Sequence, residues 1–246
     1  MELRPDERLD AVNENITLLQ KKNGLTFGTD AFLLSAFCRQ NAGGVAADFG
    51  CGTGIIALLL AARRRYRHVF AVEVQECFAK ITAENIEKNG FSHTVTPLFA
   101  DVRTLTPAAF GRELDVVVAN PPYLKKECGF ASPHPEKQIA RHEESGGIAD
   151  FAAAAARCLK SGGLFYTVYR PERLESLFAA LRAARLAPKR MVFVHDSANK
   201  APSMVLTEAK LDACEGLRVL PPLFLHDDDP GGLSPRAQAI YDTGSF

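Results

Sequence analysis

A glycine-rich turn and a later carboxylate carry the plainest chemistry in this sequence. The turn reads DFGCGTG over residues 48–54, and Glu73 follows its last glycine by 73 − 54 = 19 residues. Glycines allow a tight turn and let a ligand lie directly on the backbone. A carboxylate at this distance, ending the next strand, is placed to accept both hydroxyls of a ribose. The pair predicts a site for a nucleoside cofactor.

The residue that opens the turn indicates which nucleoside the site suits. A dinucleotide site has the spacing GxGxxG and holds a pyrophosphate at the start of the helix. This turn is GxGxG and begins with Asp48, which would repel a pyrophosphate but can accept from the amino group of a methionine moiety. The pattern favours S-adenosylmethionine over NAD. The predicted cofactor-binding residues of this region are Asp48, Gly50, Cys51, Gly52, Gly54, Glu73, Val74, Asp101 and Val102.

Asp101 at the end of the third predicted strand has two interpretations. Its carboxylate could accept from the adenine amine of the cofactor, as expected for a residue at a strand tip. It could instead cap the short segment that begins at Val102. The sequence leaves both interpretations open.

Asn120-Pro121-Pro122-Tyr123 follows the fourth predicted strand, where it would face the cofactor. An adenine amine is a poor nucleophile because its lone pair is delocalised into the ring. Two acceptors on its N–H groups would draw the nitrogen toward tetrahedral geometry, and the Asn120 oxygen and the Pro121 carbonyl are suited to this. Tyr123 offers a stacking face for a base, worth ~1–3 kcal/mol. All four residues are predicted as catalytic, and no Ser, Cys or His nucleophile is needed.

Short apolar strands alternate with helices in the elements that position these residues. This rhythm predicts an α/β fold with a mainly parallel sheet covered by helices on both faces. Strands are predicted at 45–49, 68–73, 94–100, 115–119 and 163–169, and a terminal pair at 190–195 and 203–209. Helices are predicted at 30–38 with Thr29 as N-cap, from the turn to about 64, and at 76–89, 148–159 and 171–185. Ligands of such sheets bind outside the carboxyl ends of the strands.

Composition limits the class of protein. The chain has 246 residues, 47% of them hydrophobic, which suits one globular domain. The start is charged, and the longest apolar run, around 55–62, is far below the ~20 residues of a membrane span. We therefore expect a cytoplasmic protein. Six scattered cysteines without a CxxC pair exclude the usual zinc spacings, and no metal is predicted.

The formal net charge of zero argues against a large nucleic-acid footprint, although not against a pocket for a flipped base. The densest basic run, 63–67, ends a predicted helix, where cations complement the dipole, and we interpret it as structural. Lys125 and Lys126 directly follow the catalytic turn and are better candidates for RNA phosphates. Arg141 and Arg170, with Lys21 and Lys22, are weaker candidates of the same kind.

These motifs resemble the Rossmann-like class I methyltransferases, and among them the NPPY amino-methyltransferases. The chain looks most like the bacterial family that methylates N6 of adenosine 37 in valine tRNA. The opening segments 15–22 and 27–30, and the later segments 140–143, 169–174 and 220–223, carry this likeness. Where the family's opening often has Ser, this chain has Gly28.

The resemblance implies a seven-stranded methyltransferase domain, S-adenosylmethionine as cofactor, tRNA as substrate, and a monomer or weak homo-oligomer. It also implies that residues 27–30, including Thr29 and Asp30, wall the cofactor pocket. We divide the single domain into an N-terminal capping segment at 1–44, a catalytic core at 45–210 and a C-terminal extension at 211–246. Three alternatives stay open: glutamine-N5 methylation of a protein, guanine-N2 methylation of ribosomal RNA, and cofactor binding without turnover.

Overall fold

The computed structural model describes residues 3–22, 28–122, 146–227 and 232–246. An antiparallel hairpin comes first and consists of β1 (Glu7–Asn13) and β2 (Ile16–Lys21). The sequence patterns did not predict this hairpin. It lies within the N-terminal segment at 1–44 that was expected to cap the cofactor pocket.

The central sheet follows the hairpin. Its seven long strands are β3 (Asn41–Phe49), β4 (Tyr66–Glu73), β5 (Val95–Phe99), β6 (Leu114–Ala119), β7 (Leu159–Tyr169), β8 (Leu186–His195) and β9 (Pro202–Leu211). Two short strands, β10 (Arg218–Val219) and β11 (Leu223–Phe224), both pair with β8. The order is β10-β8-β9-β7-β6-β3-β4-β5, and only β9 runs antiparallel to its neighbours. The predicted mainly parallel sheet with a terminal antiparallel pair is confirmed.

Helices cover both faces of this sheet. They are α1 (Thr29–Phe37), α2 (Ile55–Ala62), α3 (Glu76–Lys88), α4 (Ile148–Cys158), α5 (Leu174–Ala183) and α6 (Pro235–Thr243). Successive side chains of a strand point to opposite faces. Ala46 and Val116 accordingly pack in one apolar cluster with α1, α2 and α6, and Ala47 and Val117 pack in a second with α4 and α5. This double burial explains why the strands are apolar throughout rather than alternating.

Strand β3 marks the point where the strand order reverses, since it lies between β4 and β6. Phe49, its last residue, is in register with Val72 on one side and with Ala119 on the other. Ligands of open α/β sheets bind at such a reversal, outside the carboxyl ends. The glycine turn after β3, Glu73 at the end of β4 and Asn120 after β6 therefore meet at one edge.

Some local predictions were wrong in detail. Thr29 is the first residue of α1 and not its N-cap, because the cap position belongs to Gly28 in extended conformation. Strand β3 starts at Asn41, although it pairs with β4 in unbroken register only from Val45. The helix expected over 171–185 is divided into a 3-10 turn at Pro171–Arg173 followed by α5. The C-terminal extension at 211–246, for which no helix was predicted, contains α6.

The basic run at 63–67 has the structural role expected for it at two of its positions. Arg65 is buried and donates to the carbonyls of Ala36 and Cys38 at the C-terminal end of α1, and also to Gly244 near the chain end. Arg63 donates to the Ser35 hydroxyl at 2.8 Å. Cations at the end of a helix stabilise its unpaired carbonyls. The helix that Arg63 and Arg65 contact is α1, and not α2, which precedes them in the chain.

Candidate active site

The turn after β3 is fastened to the neighbouring strand by its backbone. The N–H groups of Gly50 and Cys51 both donate to the Val72 carbonyl at 2.9 Å. Gly50, Gly52 and Gly54 have φ angles of +71°, +58° and +84°, a region in which side chains are strained. The sequence therefore needs glycine at all three places for a conformational reason, and α2 begins directly after the turn.

The three glycines differ in what surrounds them. A Cβ atom added at Gly50 would lie 3.2 Å from the Phe151 ring, and one at Gly54 would lie 3.0 Å from Thr82 Cγ2. At Gly52 the same atom would meet no atom of the described residues within 4 Å. Two glycines thus allow close packing inside the protein, whereas Gly52 leaves its backbone open on the side where a ligand would lie.

Glu73 bonds the glycine turn to the end of β4. Its Oε2 accepts from the Gly52 N–H at 2.9 Å, and its Oε1 accepts from the N–H groups of Val74 and Gln75 at 2.9 Å each. Burial raises the pKa of this carboxyl above its usual value, although the three hydrogen bonds oppose the shift. A carboxylate can accept about four hydrogen bonds. Glu73 can therefore still accept from a ligand hydroxyl beside Gly52.

Asp48 is fully buried behind the turn. Its Oδ2 accepts from the Ala57 N–H of α2 at 3.2 Å, and its Oδ1 has no hydrogen-bond partner among the described residues. Burial raises the pKa of Asp48 to about 7, the Ala57 hydrogen bond opposes this, and the charge of Glu73 adds to it. An unpaired buried carboxylate oxygen is costly. A cationic amine beside Asp48 would relieve that cost.

Asn120 lies directly after β6 and is tied to the start of α1. Its Nδ2 donates to Asp30 Oδ2 at 2.8 Å, and Asp30 Oδ1 accepts from the Ala31 N–H at 2.9 Å. The Asn120 Oδ1 atom is shielded from solvent and has no partner among the described residues. Pro121 behind it is buried, and Pro122 is half-buried. The site thus presents one acceptor oxygen at a strand tip.

The remaining predicted site residues fall into two groups. Val102 is buried. Asp101 caps the short turn that begins at Val102, because its carboxylate accepts from the Arg103 N–H at 2.9 Å. The Arg103 side chain pairs with the same carboxylate. Hydrogen bonding to Arg103 lowers the pKa of Asp101. The capping interpretation is thus observed, while contact with a cofactor adenine stays a prediction. Predicted residues outside the described parts of the chain are Tyr123, Lys125, Lys126 and Arg141.

Arg170 is the one RNA candidate near this edge that the described residues include. It follows β7, whose carboxyl end lies beside Asn120, and its guanidinium donates to the Ser203 carbonyl at 3.1 Å. A contact with RNA stays a prediction.

Two polar residues of α3 that the sequence analysis missed support the turn from behind. Thr82 donates to the Gly52 carbonyl at 2.7 Å, and Asn85 donates to the Thr53 carbonyl at 2.9 Å. Asn85 also exchanges two hydrogen bonds with the backbone of Leu19 in β2. Both residues interrupt the apolar face of an amphipathic helix, and this interruption was the available signal. They join the hairpin, α3 and the turn into one unit.

The arrangement fits a nucleoside carrying an amino-acid tail. The open face at Gly52, the Glu73 carboxylate and the unpaired Asp48 oxygen all lie at the carboxyl ends of β3 and β4. The described residues contain no group of three or more His, Cys, Asp or Glu side chains placed to hold a metal ion. None of the described helices has the length and apolar character needed to cross a bilayer.

Comparison with known proteins agrees with this geometry. A model of the methyltransferase small domain matches residues 21–187, which is more than half of the chain. This chain belongs to the methyltransferase small domain family. The methyltransferase fold and the family resemblance predicted from the sequence are thereby confirmed.

Similar sequences cover from about three quarters to about nine tenths of this chain. A protein of Dyadobacter fermentans named tRNA1(Val) (adenine(37)-N6)-methyltransferase is 26% identical over 230 residues, which are 92% of this chain and 93% of that protein. A protein of the same name from Tolumonas auensis is 29% identical over 188 residues, covering 76% and 77%.

Solved structures show the same fold. The crystal structure of a predicted O-methyltransferase from Agrobacterium tumefaciens has a TM-score of 0.71 at 22% identity and covers 88% of this chain and 97% of that one. The TYW2 protein of M. jannaschii, solved with AdoMet, has a TM-score of 0.57 at 15% identity, with coverages of 85% and 88%.

Proposed function

We propose that this methyltransferase transfers a methyl group from S-adenosylmethionine to the exocyclic N6 amine of an adenine in tRNA. The observation that carries the proposal is the Asn120 Oδ1 atom, shielded from solvent and without a partner among the described residues, at the tip of β6. A buried acceptor without a donor costs free energy unless a ligand satisfies it. An N–H group of the substrate is the ligand that would do so.

The cofactor residues follow from the strand tips. Glu73 would accept from a ribose hydroxyl beside Gly52, and Asp48 would accept from the amino group of the methionine moiety. S-adenosylmethionine supplies an electrophilic methyl group on a sulfonium centre. Asp101 and Val102, directly after β5, would hold its adenine. Thr29 and Asp30 close the site from α1.

The chain's own residues make the amine reactive. The two N–H groups of the amine donate to Asn120 Oδ1 and to the Pro121 carbonyl. These hydrogen bonds reduce the delocalisation of the nitrogen lone pair into the ring and direct it toward the methyl carbon. The N–C bond forms as the S–C bond breaks, and the surplus proton leaves to water. Holding the nitrogen and the methyl carbon in line and roughly 3 Å apart lowers the entropic part of the barrier by several kcal/mol. An asparagine cannot remove a proton, so the site suits an amine better than a hydroxyl, which needs a base.

Two arguments support tRNA as the substrate: the names of the relatives, and the way in which a base must reach the strand tip. Relatives that this chain matches over most of their length are named for N6 of adenine 37 in tRNA1(Val). A base in a folded loop must be splayed out to reach a strand tip, at a cost of a few kcal/mol. Tyr123 stacks on that base, and Lys125, Lys126, Arg141 and Arg170 contact the phosphates around it. The enzyme acts in the cytoplasm as a monomer or weak homo-oligomer.

One experiment tests this function against its alternatives. The purified enzyme and tritiated S-adenosylmethionine are incubated with total RNA and, separately, with total protein from a strain that lacks the gene. We expect label in the tRNA fraction, as N6-methyladenosine after nucleoside digestion. Label in protein glutamine or in N2-methylguanosine would replace the proposed substrate, and no transfer to either pool would contradict it.

An inactive variant controls for contaminating methyltransferases. Asn120→Ala removes the acceptor oxygen, and we expect kcat to fall by about 10²–10³-fold, the range for losing one group that hydrogen-bonds in the transition state. Cofactor affinity should change little, because Asn120 faces the amine. Asn13→Ala, an exposed position in β1, is the matched control. Unchanged turnover in Asn120→Ala would refute the acceptor role.

A further inference from the structure

The hydrogen bond between Asp30 and Asn120 joins residues that are 90 positions apart in the chain. Asp30 lies in the first turn of α1, and Asn120 directly follows β6. The distance from Asn120 Nδ2 to Asp30 Oδ2 is 2.8 Å, typical of a hydrogen bond to a charged acceptor. The contact therefore links the capping segment to the reacting end of the sheet.

An asparagine amide can be rotated by half a turn, which exchanges its oxygen and nitrogen. An ionised carboxylate only accepts hydrogen bonds, whereas the amide oxygen cannot donate one. With the amide reversed, Asn120 Oδ1 would face the Asp30 carboxylate, and two acceptors would oppose each other. The Asp30 side chain thus permits one of the two amide orientations.

The second oxygen of Asp30 fixes the carboxylate itself. Oδ1 accepts at 2.9 Å from the Ala31 N–H in the first turn of α1, a donor that also bonds the Gly28 carbonyl at 3.2 Å. The carboxylate is held by the helix on one side and by Asn120 on the other. In the permitted orientation Asn120 Oδ1 is the atom left without a partner among the described residues.

We propose that Asp30 is a positioning residue that orients the Asn120 amide so that its oxygen, and not its nitrogen, meets the substrate amine. The inference deepens the proposed function and rests on it for the identity of that amine. Asp30 was expected to wall the cofactor pocket, and the hydrogen bond gives it a second task. Its negative charge also polarises the amide it binds, which strengthens Oδ1 as an acceptor.

The test replaces the carboxylate by a group of the same shape. In Asp30→Asn the new side chain can donate, so the reversed Asn120 amide becomes allowed and presents N–H groups to the substrate. We expect kcat for tRNA to fall by about tenfold or more, while KM for tRNA and the cofactor dissociation constant change by less than about threefold. The matched control is Glu175→Gln, which removes the same charge from the first turn of α5.

A double-mutant cycle separates positioning from a general loss of structure. In an Asn120→Ala background, Asp30→Asn should cause no further fall in kcat, because the amide that it orients is gone. Additive losses in the cycle would overturn the proposal. If Asp30→Asn does not fold, Asp30→Ser replaces it, since a serine can still accept from a first-turn N–H but is too short to reach Asn120.

A spectroscopic measurement keeps the inference independent of the substrate. In ¹⁵N-labelled enzyme without RNA, the Asn120 side-chain amide protons should be protected from exchange in the wild type and lose that protection in Asp30→Asn. If the wild type methylates no RNA but this difference is seen, the proposed substrate fails and the orienting role stands. Equal protection in both proteins would overturn the orienting role whatever the substrate.

Discussion

Glu73 accepts a hydrogen bond from the backbone N–H of Gly52 across 2.9 Å, which joins the tip of β4 to the open part of the glycine turn. The two features that predicted a nucleoside site from the sequence are therefore one structural unit. A ligand that lies on Gly52 also lies beside the carboxylate. Any change at Glu73 alters both the ligand contact and the shape of the turn.

Glu73→Gln tests that unit while keeping an acceptor for the N–H groups of Val74 and Gln75. The glutamine keeps one acceptor oxygen but turns an NH₂ group toward the turn, and it lacks the charge that binds ribose hydroxyls strongly. Hydrogen bonds to charged groups contribute about 1.5–3 kcal/mol, so the cofactor dissociation constant should rise by about 10–100-fold. Calorimetric titration measures it. Glu76→Gln, at an exposed position of α3, is the control, and an unaltered constant for Glu73→Gln would contradict the assignment.

Asp48 should make cofactor binding depend on pH. Burial raises its pKa from 3.8 to about 7, so part of the free enzyme carries a neutral Asp48 near neutral pH. A cationic amine favours the charged form, and binding must therefore release a proton. Cofactor affinity should rise between about pH 5.5 and 7.5, by at most about tenfold per pH unit, and Asp48→Asn should bind weakly without this dependence. Equal pH profiles for the two proteins would exclude Asp48 from the amine site.

The raised pKa of Asp48 also predicts that the stability of the cofactor-free protein falls as pH rises, whereas cofactor affinity rises. A carboxyl group whose folded pKa is raised stabilises the fold below its unfolded pKa, and this contribution is lost as pH rises through the folded value. Cofactor-free Asp48→Asn should thus melt higher than wild type at pH 8, by roughly 2–4 °C per kcal/mol gained, and the difference should shrink toward pH 5. Differential scanning calorimetry at the two pH values measures it.

Gly52 is open in the structure, and this predicts a selective defect. Gly52→Ala strains the backbone at φ +58°, but its methyl group meets no atom within 4 Å in the part of the chain that the structure describes, so it should cost only about 1–2 kcal/mol of folding free energy. The added methyl group occupies ligand space, and cofactor affinity should fall by more than about tenfold. Gly111→Ala is the matched control, with φ +67° and equally open surroundings away from the site. Similar affinities in both variants would show that no ligand lies on Gly52.

The strand tips could be predicted from the sequence because each signal is local. Each signal is recognisable in a short stretch of sequence. The signals are the three turn glycines, whose φ angles are positive in the structure, the carboxylate that ends the next strand, and the residues from Asn120. The alternation of apolar strands with helices then places the tips at one edge. Helix and strand limits fell within a few residues for most elements, and Asn41 at the start of β3 is among the exceptions.

Contacts between distant segments could not be predicted in the same way. The Asp30–Asn120 hydrogen bond and the Asn85 contacts with Leu19 depend on how elements pack, and no short pattern encodes them. The hairpin was missed because three of the seven residues of β1 are charged, and because β2 is held by asparagine side chains from outside the hairpin, Asn85 and Asn89. Helix α6 did have local signals, a Ser234 cap followed by Pro235, but the prolines and glycines before it indicated a loop.

Asn85 gives the sharpest test of the support behind the turn. Its amide accepts from the Leu19 N–H at 2.6 Å and donates to the Leu19 and Thr53 carbonyls at 3.0 and 2.9 Å, all in a buried setting. Asn89, one helical turn later, makes the same exchange with Thr17 at 2.9 and 2.8 Å but does not touch the glycine turn.

Both asparagines hold the hairpin, but only Asn85 also holds the turn. Asn85→Ala leaves buried donors and acceptors unpaired and should destabilise the protein by about 2–4 kcal/mol, measured by urea unfolding. Asn89→Ala is the matched variant and should cost less, since its site is only partly buried. Cofactor affinity, measured where both variants are fully folded, should fall in Asn85→Ala alone, because the Thr53 carbonyl loses its donor. If the two variants lose affinity equally, the hairpin and not the Thr53 contact supports the cofactor site.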